Sequence, residues 1–194
     1  MEESQELNIE NLEHNKTYLK RSDLSHCNLS QIRFDGAVLT GADLSSSNLE
    51  KADLRNADLR WTTLDDADLS DSKLQKANLH GADLRRANLS KANLHGANLC
   101  SADLTEANLQ EVYLWTGNLS YADLQGANLY GANLYGSELQ TALLQEVDFT
   151  RANLSKVDFR RAIFTDANLS EAEVTQAQFN QAKLNSIILS NQKP

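Results

Sequence analysis

Three side chains that could support nucleophilic chemistry are spaced by twenty positions: Arg60, His80 and Cys100. If the chain repeats every twenty residues, they stack in one column, where the histidine could activate the neighbouring thiolate. A polar outer surface without a pocket would show the same three residues. The chain also lacks a glycine-rich phosphate loop and a Gly-x-Ser-x-Gly motif. We therefore predict no catalytic residue and expect that the protein is not an enzyme.

The spacing of the histidines and cysteines gives no metal-binding pattern. The four histidines fall in different columns of a twenty-residue repeat, and no Cys/His pair has the spacing of a zinc site. Cys27 and Cys100 are 73 residues apart, more than three such repeats, so a disulfide between them is not expected. The sequence predicts neither a metal nor another cofactor, and its cysteine usage favours a reducing compartment.

The residues that must position these side chains form a five-residue repeat. The stretch 77–110 reads Ala, Asn or Asp, Leu and two variable residues seven times in succession. From Leu19 to Leu189 the leucine position recurs thirty-five times without insertion, as leucine in twenty-nine repeats, phenylalanine in five and valine in one. The small position, two residues earlier, is alanine in twenty-two repeats, and the Asp/Asn position between them is aspartate or asparagine in twenty-two. The two residues after the leucine are the first and second turn positions, and they are mostly polar.

A period of five fits neither a helix nor a flat strand, so the chain must close on itself in stacked coils. The leucine and small positions point inward, and because one coil cannot bury its leucines alone, stacking supplies the core. Seven of the eight glycines occupy the second turn position, where a type II turn needs a positive φ. We therefore predict corners at the two turn positions, with the Asp/Asn side chains hydrogen-bonded to the turn backbone.

The A(D/N)LXX pattern resembles the pentapeptide repeat family over about residues 17 to 191. The resemblance implies an all-β fold: a right-handed quadrilateral (four-sided) β-helix solenoid of about nine coils, each of twenty residues. The charged residues at the turn positions agree with four sides. Pairs that are 20 positions apart have opposite charges in eight cases and like charges in one, whereas pairs that are 15 positions apart have opposite charges in seven cases and like charges in three. The expected organisation is an N-terminal cap or a degenerate first coil at 1–16, the β-helix at 17–191 and a C-terminal tail at 192–194.

The composition of the chain start favours no targeting signal. The first sixteen residues have a net charge of −4 and show no basic start followed by an apolar run, unlike a signal peptide. No stretch approaches the roughly twenty apolar residues of a membrane span. We expect a cytoplasmic protein that makes no membrane contact.

Four aromatic and imidazole side chains cluster at outward positions. His95, Trp115 and Tyr135 are spaced by twenty and should stack on successive coils, and Tyr113 lies beside Trp115. We call these four residues the aromatic surface. Exposed Trp and Tyr clusters are common centres of protein interfaces, so we interpret the surface as a protein-binding site. The alternative is a cross-strand ladder that only stabilises the sheet.

Negative charge concentrates on one side of a four-sided rod. The acidic side comprises residues 22–26 and their equivalents every twenty residues up to 182–186, with ten acidic and three basic residues, a net charge of −7. Its centre, the acidic stripe, consists of Asp65, Asp66, Asp83, Asp103 and Asp123. The stripe could bind a basic partner. The alternative is that these aspartates are the turn-bonding residues of the repeat.

The family resemblance implies two kinds of function. Some pentapeptide repeat proteins resemble B-form DNA in shape and charge and inhibit DNA gyrase; they tend to be dimers joined through a C-terminal helix, and some carry projecting loops. This chain has no insertion, and its acidic side contains Arg85 and Arg86. Uninterrupted members, abundant in cyanobacteria, resemble regulators that bind protein partners.

We therefore expect a non-enzymatic protein-binding scaffold whose partner is a protein, with no direct nucleic acid binding. A DNA-mimicking inhibitor of a type II topoisomerase (DNA gyrase) and a purely structural repeat protein are the alternatives. The apolar end of the chain could also join two copies into a homodimer through the C-terminal coil.

Overall fold

The fold is a stack of coils that pair with one another every twenty residues. The computed structural model describes residues 9–189. In that range the backbone forms isolated parallel bridges between residues twenty positions apart, from Asp23 with Asp43 to Asn168 with Ile188. Each coil therefore contains four five-residue repeats, which confirms the spacing expected from the sequence. The handedness and the number of coils stay predictions.

The regular elements are few and short. Helix α1 (Ile9–His14) and a 3-10 helix (Lys16–Tyr18) precede the first coil. Three strands follow near the other end, β1 (Leu143–Gln145), β2 (Ile163–Thr165) and β3 (Lys183–Asn185), and they pair in parallel in the order β1-β2-β3.

Hydrogen bonding within each repeat explains the sequence pattern. Four of the five N–H groups donate to backbone carbonyls: the small position to the preceding leucine, the Asp/Asn position to the previous coil, and the leucine and second turn positions to the next coil. In the repeat 92–96 these bonds measure 3.0, 2.9, 2.7 and 3.1 Å in that order. The fifth N–H, at the first turn position, needs another acceptor.

The Asp/Asn position supplies that acceptor. In all twenty-two repeats that have Asp or Asn there, the side-chain Oδ1 accepts the N–H of the first turn position, two residues later, over 2.9–3.4 Å. The predicted hydrogen bond to the turn backbone is confirmed. The preference for Asp and Asn is therefore a requirement of backbone satisfaction.

The corners lie at the turn positions, as predicted. Every second turn position from Arg21 to Ser186 has a positive φ, between 51° and 68°, and only seven of these residues are glycines. The side chains at the other corners adopt a conformation that L-residues rarely take. The inter-coil bond donated by each of these N–H groups holds the corner in place.

The strands β1, β2 and β3 occur where the Asp/Asn position holds another residue. Leu143, Ile163 and Lys183 occupy that position in three successive coils of the acidic side, and each begins one of the strands. Single repeats without Asp or Asn at this position, such as those of Thr63 and Tyr113, form isolated bridges instead. The regular sheet therefore occurs where three successive coils of one side lack the side-chain acceptor.

The core is a continuous row of leucine and alanine. From Leu29 to Ala167 the leucine and small positions are almost fully buried, which confirms their inward placement. Near the end the core changes to phenylalanine, with Phe159 5.1 Å from Phe164 and 5.2 Å from Phe179 between ring centroids. Burial then decreases, and Leu184, Ile188 and Leu189 are exposed.

The two N-terminal helices form hydrogen bonds with the first coil. Glu13 Oε1, in α1, accepts the backbone N–H of Arg33 at 2.7 Å, the donor that elsewhere pairs with a preceding coil. Lys16 accepts Val38 N–H through its carbonyl at 2.8 Å, and its Nζ lies 2.9 Å from Asp35 Oδ1. A cap spanning 1–16 stays a prediction, because residues 1–8 lie outside the described range. The predicted tail at 192–194 lies outside it as well.

Candidate protein-binding surface

The aromatic surface occupies one side of the rod. That side, which we call the aromatic side, comprises residues 32–36 and their equivalents every twenty residues up to 172–176. His95, Trp115 and Tyr135 occupy the first turn position in three successive coils. Tyr113 occupies the Asp/Asn position of the middle coil and pairs in parallel with Asn93 and Asn133. The structure therefore brings the four predicted residues together.

The contacts among these rings differ from one pair to the next. The His95 and Trp115 rings pack with centroids 4.2 Å apart at an interplanar angle of 36°, and His95 Nδ1 lies 3.2 Å from the Trp115 carbonyl oxygen. Among residues 9–189 no ring contact joins Trp115 to Tyr135. Tyr135 instead lies under Lys156, whose Nζ is 5.1 Å from the ring centroid. The expected ring stack thus covers one pair, and a cation–π contact follows it.

The three large aromatic side chains are all exposed to solvent. Tyr113 is 51% exposed, Trp115 43% and Tyr135 37%. A ladder that only stabilises the sheet would account for the His95–Trp115 contact, but not for the exposure of Tyr113. Contiguous exposed apolar area on one side is typical of an interaction site.

The backbone at the centre of the surface also lacks its usual acceptor. Because Tyr113 replaces Asp or Asn, no side chain accepts the N–H of Trp115 in the part of the chain that the structure describes. A free backbone donor beside exposed rings can bond a carbonyl or carboxylate of another molecule. Sequence reasoning missed this donor, although the missing Asp/Asn at position 113 signals it.

The acidic stripe contains the side-chain bonds of the repeat together with two arginines. Asp83, Asp103 and Asp123 each accept the N–H of their own first turn position, at 3.2, 3.0 and 3.0 Å. Arg85 lies 2.5 Å from Asp83 Oδ2 and 3.8 Å from Asp103 Oδ2. The hydrogen bond from Arg85 holds the pKa of Asp83 below its usual range.

The second arginine compensates the other end of the stripe. Arg86 lies 2.7 Å from Asp66 Oδ2 and 3.7 Å from Asp65 Oδ2, and its hydrogen bonds lower the pKa of Asp66. Four of the five carboxylates therefore lie within 4 Å of a guanidinium. The two arginines therefore compensate part of the negative charge of the acidic stripe.

The column with catalytic residue types is not assembled for chemistry. Arg60 forms an ion pair with Asp58 at 2.6 Å, and the His80 ring meets Trp61 edge-on at 4.9 Å. Cys100 Sγ forms a hydrogen bond with Ser101 Oγ at 3.7 Å. Within residues 9–189 no hydrogen bond joins His80 to Cys100, and no group of three or more His, Cys, Asp or Glu residues could hold a metal ion.

A polar groove lies on the side that carries this column. Its volume is about 560 Å³, and its floor is Thr141 between the larger side chains of Tyr121 and Arg161. Arg161 Nε donates to Gln181 Oε1 at 2.9 Å. The groove arises where a small side chain stands between two large ones in one column, a pattern visible in the sequence at a spacing of twenty.

The α-helices of the described range are too short to cross a membrane.

One solved structure supports the same fold with a TM-score above 0.5, and two others align with lower scores. A chain of QnrB1, a plasmid-mediated fluoroquinolone resistance protein, is 20% identical, with 91% of this chain and 86% of that chain covered and a TM-score of 0.53. HetL, involved in heterocyst differentiation regulation in the cyanobacterium Nostoc sp. strain PCC 7120, is 28% identical over 95% of this chain and 96% of that chain, with a TM-score of 0.39. Rfr23 from the cyanobacterium Cyanothece 51142 is 33% identical over 56% and 64%, with a TM-score of 0.21.

Sequence comparison identifies the family. No curated protein matches the sequence. The profile described as "Pentapeptide repeats" matches with eight copies, over residues 17–56, 52–90, 82–114, 107–145, 142–181 and 152–191. Since these matches span most of the chain, it belongs to the pentapeptide repeat family.

Proposed function

We propose that this protein is a non-enzymatic, cytoplasmic scaffold that binds a partner protein through its aromatic surface. The scaffold is a right-handed, four-sided β-helix of about nine coils over 17–191, with 1–16 as its cap. The exposed group of Trp115, Tyr113 and Tyr135 on one side of the rod carries the proposal. Large aromatic side chains in a flat, solvent-facing cluster contribute most of the binding energy at many interfaces.

The proposal is tested by affinity capture from native lysate, with the bound proteins identified by mass spectrometry. The variant Trp115→Ala with Tyr135→Ala should lose the partner that the wild type retains, while its melting temperature changes little. The matched control is Trp61→Ala with Tyr121→Ala, which removes the same two residue types from another side, where they are 59% and 64% exposed. Retention of the partner by the first variant, or its loss from the control alone, would contradict the proposal.

A second candidate function is inhibition of DNA gyrase by mimicry of DNA. The observation in its favour is the net charge of −7 on the acidic side. The compensation of Asp65, Asp66, Asp83 and Asp103 by Arg85 and Arg86 counts against it. DNA mimicry predicts capture of a gyrase subunit at low salt that is lost at moderate salt and on charge reversal at Asp103 and Asp123.

Self-association would accompany either function. Leu184, Ile188 and Leu189 are 45%, 53% and 64% exposed, and we propose that a homodimer would form through this end of the rod. Sedimentation of the wild type beside Leu184→Asn with Ile188→Asn distinguishes a dimer from a monomer. A monomeric wild type would rule the dimer out.

A further inference from the structure

The aromatic surface lies within a positively charged area of an acidic protein. The chain has 27 acidic and 18 basic residues. On the aromatic side, the five repeats 72–76, 92–96, 112–116, 132–136 and 152–156 contain three lysines and no aspartate or glutamate. The nearest acidic residues along the chain belong to the neighbouring sides: Asp71, Glu111, Glu138 and Asp158.

Two of the lysines stand at opposite ends of the rings. Lys76 is exposed, and its stem lies against Gly96, where an added Cβ would come within 3.7 Å of its Cγ. Lys156 is exposed and lies over the Tyr135 ring. No carboxylate lies within 4 Å of either ammonium in the range 9–189. The third lysine, Lys73, is paired along the sheet with Asp53 and is therefore partly compensated.

The distance between the two lysines defines the length of chain that could bind. Lys76 and Lys156 are separated by four coil steps, which at ~4.8 Å each is about 19 Å. An extended peptide at ~3.3 Å per residue covers that distance with about six residues. The Trp115 N–H and the rings of Tyr113 and Trp115 lie between the two ammonium groups.

From this arrangement we propose that the aromatic surface binds an extended acidic segment of its partner protein. Carboxylates of the segment pair with Lys76 and Lys156, and apolar or aromatic side chains between them pack on Trp115, Tyr113 and Tyr135. A backbone carbonyl or a carboxylate of the segment accepts the Trp115 N–H. This proposal rests on the protein-binding function above and specifies the chemistry of the partner.

The charge distribution favours an acidic peptide over a nucleic acid. A nucleic acid strand presents a phosphate at every nucleotide and needs many cations along its path. The aromatic side offers three lysines over five repeats, on a protein whose net charge is −9. A short segment with a few carboxylates matches two separated ammonium groups without bringing a long polyanion near the other acidic sides.

Trp115 provides a local probe, because the chain has two tryptophans and Trp61→Phe leaves one. In that variant, Trp115 fluorescence is titrated with a peptide of four Glu–Phe repeats, a peptide of four Lys–Phe repeats and a ten-nucleotide oligothymidylate. We expect saturable binding of the Glu–Phe peptide, at least about tenfold tighter than of the Lys–Phe peptide and weaker at higher salt. Equal binding of the two peptides, no binding, or tighter binding of the oligonucleotide would overturn the proposal.

Charge reversal identifies the residues. Lys76→Glu with Lys156→Glu, in the same Trp61→Phe background, should weaken binding of the Glu–Phe peptide about tenfold. The matched control, Lys20→Glu with Lys91→Glu, makes the same change of net charge at exposed positions on other sides and should have little effect. An equal effect of both variants would overturn the proposal. If a captured partner is lost on removal of the aromatics but not on reversal of Lys76 and Lys156, the acidic segment is wrong and the scaffold function stands.

Discussion

The N–H of the first turn position is the backbone donor that decides which residues the repeat can use. Backbone carbonyls accept the other four N–H groups of a repeat. Outside β1, β2 and β3, the N–H of the first turn position needs an acceptor on a short side chain two residues earlier. Aspartate and asparagine reach it because their Oδ1 folds back over the turn. Asp83, Asp103 and Asp123 of the acidic stripe make this bond too, so the presence of these three residues alone is no sign of binding.

Removal of one such acceptor should cost about one hydrogen bond. Asn133 Oδ1 accepts the Tyr135 N–H at 3.1 Å, and its neighbours in the ladder, Tyr113 and Asn153, are uncharged. We predict that Asn133→Ala lowers the free energy of unfolding by about 1 kcal/mol, because the N–H loses its partner. Denaturant titration measures the change. Asn133→Asp keeps the acceptor and should unfold close to the wild type; equal losses in both variants would contradict the role of Oδ1.

Asp158 makes the stability depend on pH in acid. It is 9% exposed, and its carboxylate accepts from Arg160 at 2.6 and 2.9 Å and from Gln140 Nε2 at 2.8 Å. The bond from Arg160 lowers the pKa of Asp158 in the folded protein. A lowered folded-state pKa stabilises the protein above the unfolded-state pKa, near ~4, and that stabilisation disappears as pH falls through the folded-state value.

The melting temperature should therefore be nearly constant from neutral pH down to about 5 and should fall below about 4. Asp158→Asn should cost about 1 kcal/mol at neutral pH, because Asn keeps the N–H acceptor but loses the ion pair, and its acid decline should be shallower. Thermal unfolding at several pH values measures both effects. An acid decline equal to that of the wild type would show that Asp158 does not contribute to it.

At the residue scale, the sequence predicted the position of each outward side chain better than it predicted the contacts between these side chains. Spacing by twenty placed His95, Trp115 and Tyr135 in one column, which the structure confirms. It could not predict that His95 packs on Trp115 while Tyr135 meets Lys156, because these contacts depend on side-chain rotamers rather than on register. The compensation of the acidic stripe by Arg85 and Arg86 likewise depends on the reach of long side chains.

Among the elements, the corners show how a side chain on one coil uses a glycine on the next. Trp61 lies over Gly81, where an added Cβ would come within 2.1 Å of Trp61 Cζ3. Seven glycines occupy the second turn position, and this pattern indicated the corners. It did not indicate that most corners are held at positive φ without glycine, because three inter-coil hydrogen bonds per repeat impose the turn whatever residue occupies it.

Gly81→Ala should therefore be more destabilising than the same change at a corner where no side chain would contact the added Cβ. Gly36 has the same φ of +65° and nothing within 4 Å of an added Cβ, so Gly36→Ala isolates the backbone cost, about 1 kcal/mol. Gly81→Ala should cost about 1 kcal/mol more, because Trp61 must leave its place. Denaturant unfolding gives the energies, and Trp61 emission in a Trp115→Phe background reports the displacement. The excess should vanish when Trp61→Ala is added; an excess that remains would point to the backbone.

The N-terminal helices replace a coil with side-chain and main-chain acceptors. Glu13 and Lys16 accept the N–H groups of Arg33 and Val38, which a preceding coil would otherwise accept. The sequence alone left a cap and a degenerate coil as alternatives. Leu12 and His14 are two positions apart, which is the spacing of the small and leucine positions that point inward in each repeat. A six-residue helix has too little pattern for a sequence to predict it, and α1 buries none of its residues fully.

The whole molecule separates properties that are mixed along the chain. Residues five apart point to different sides, and residues twenty apart share one. The acidic side thus collects a net charge of −7, while the aromatic side collects the rings and the lysines of the proposed site. The inward residues recur every five positions, whereas two outward residues share a side only when they are twenty positions apart. Deletion of one five-residue repeat should therefore preserve the core and move the following outward residues to a different side.

Deletion of residues 117–121 tests this separation. It removes one repeat between Trp115 and Tyr135, so the leucine register continues and the core remains filled. Tyr135 and Lys156 then lie on a different side from His95 and Trp115. We predict a folded rod, seen by circular dichroism, with a melting temperature within a few degrees of the control described next, and loss of the partner that the wild type captures.

The control is deletion of residues 37–41, which also removes one repeat but lies before the whole aromatic surface. It turns the N-terminal part of the rod relative to the rest and leaves Lys76, His95, Trp115, Tyr135 and Lys156 on one side. This variant should capture the partner as the wild type does. If both deletion variants capture the partner equally well, partner binding depends on fewer coils than the aromatic surface spans. If both fail to fold, the core is less interchangeable between repeats than its leucine and alanine rows indicate.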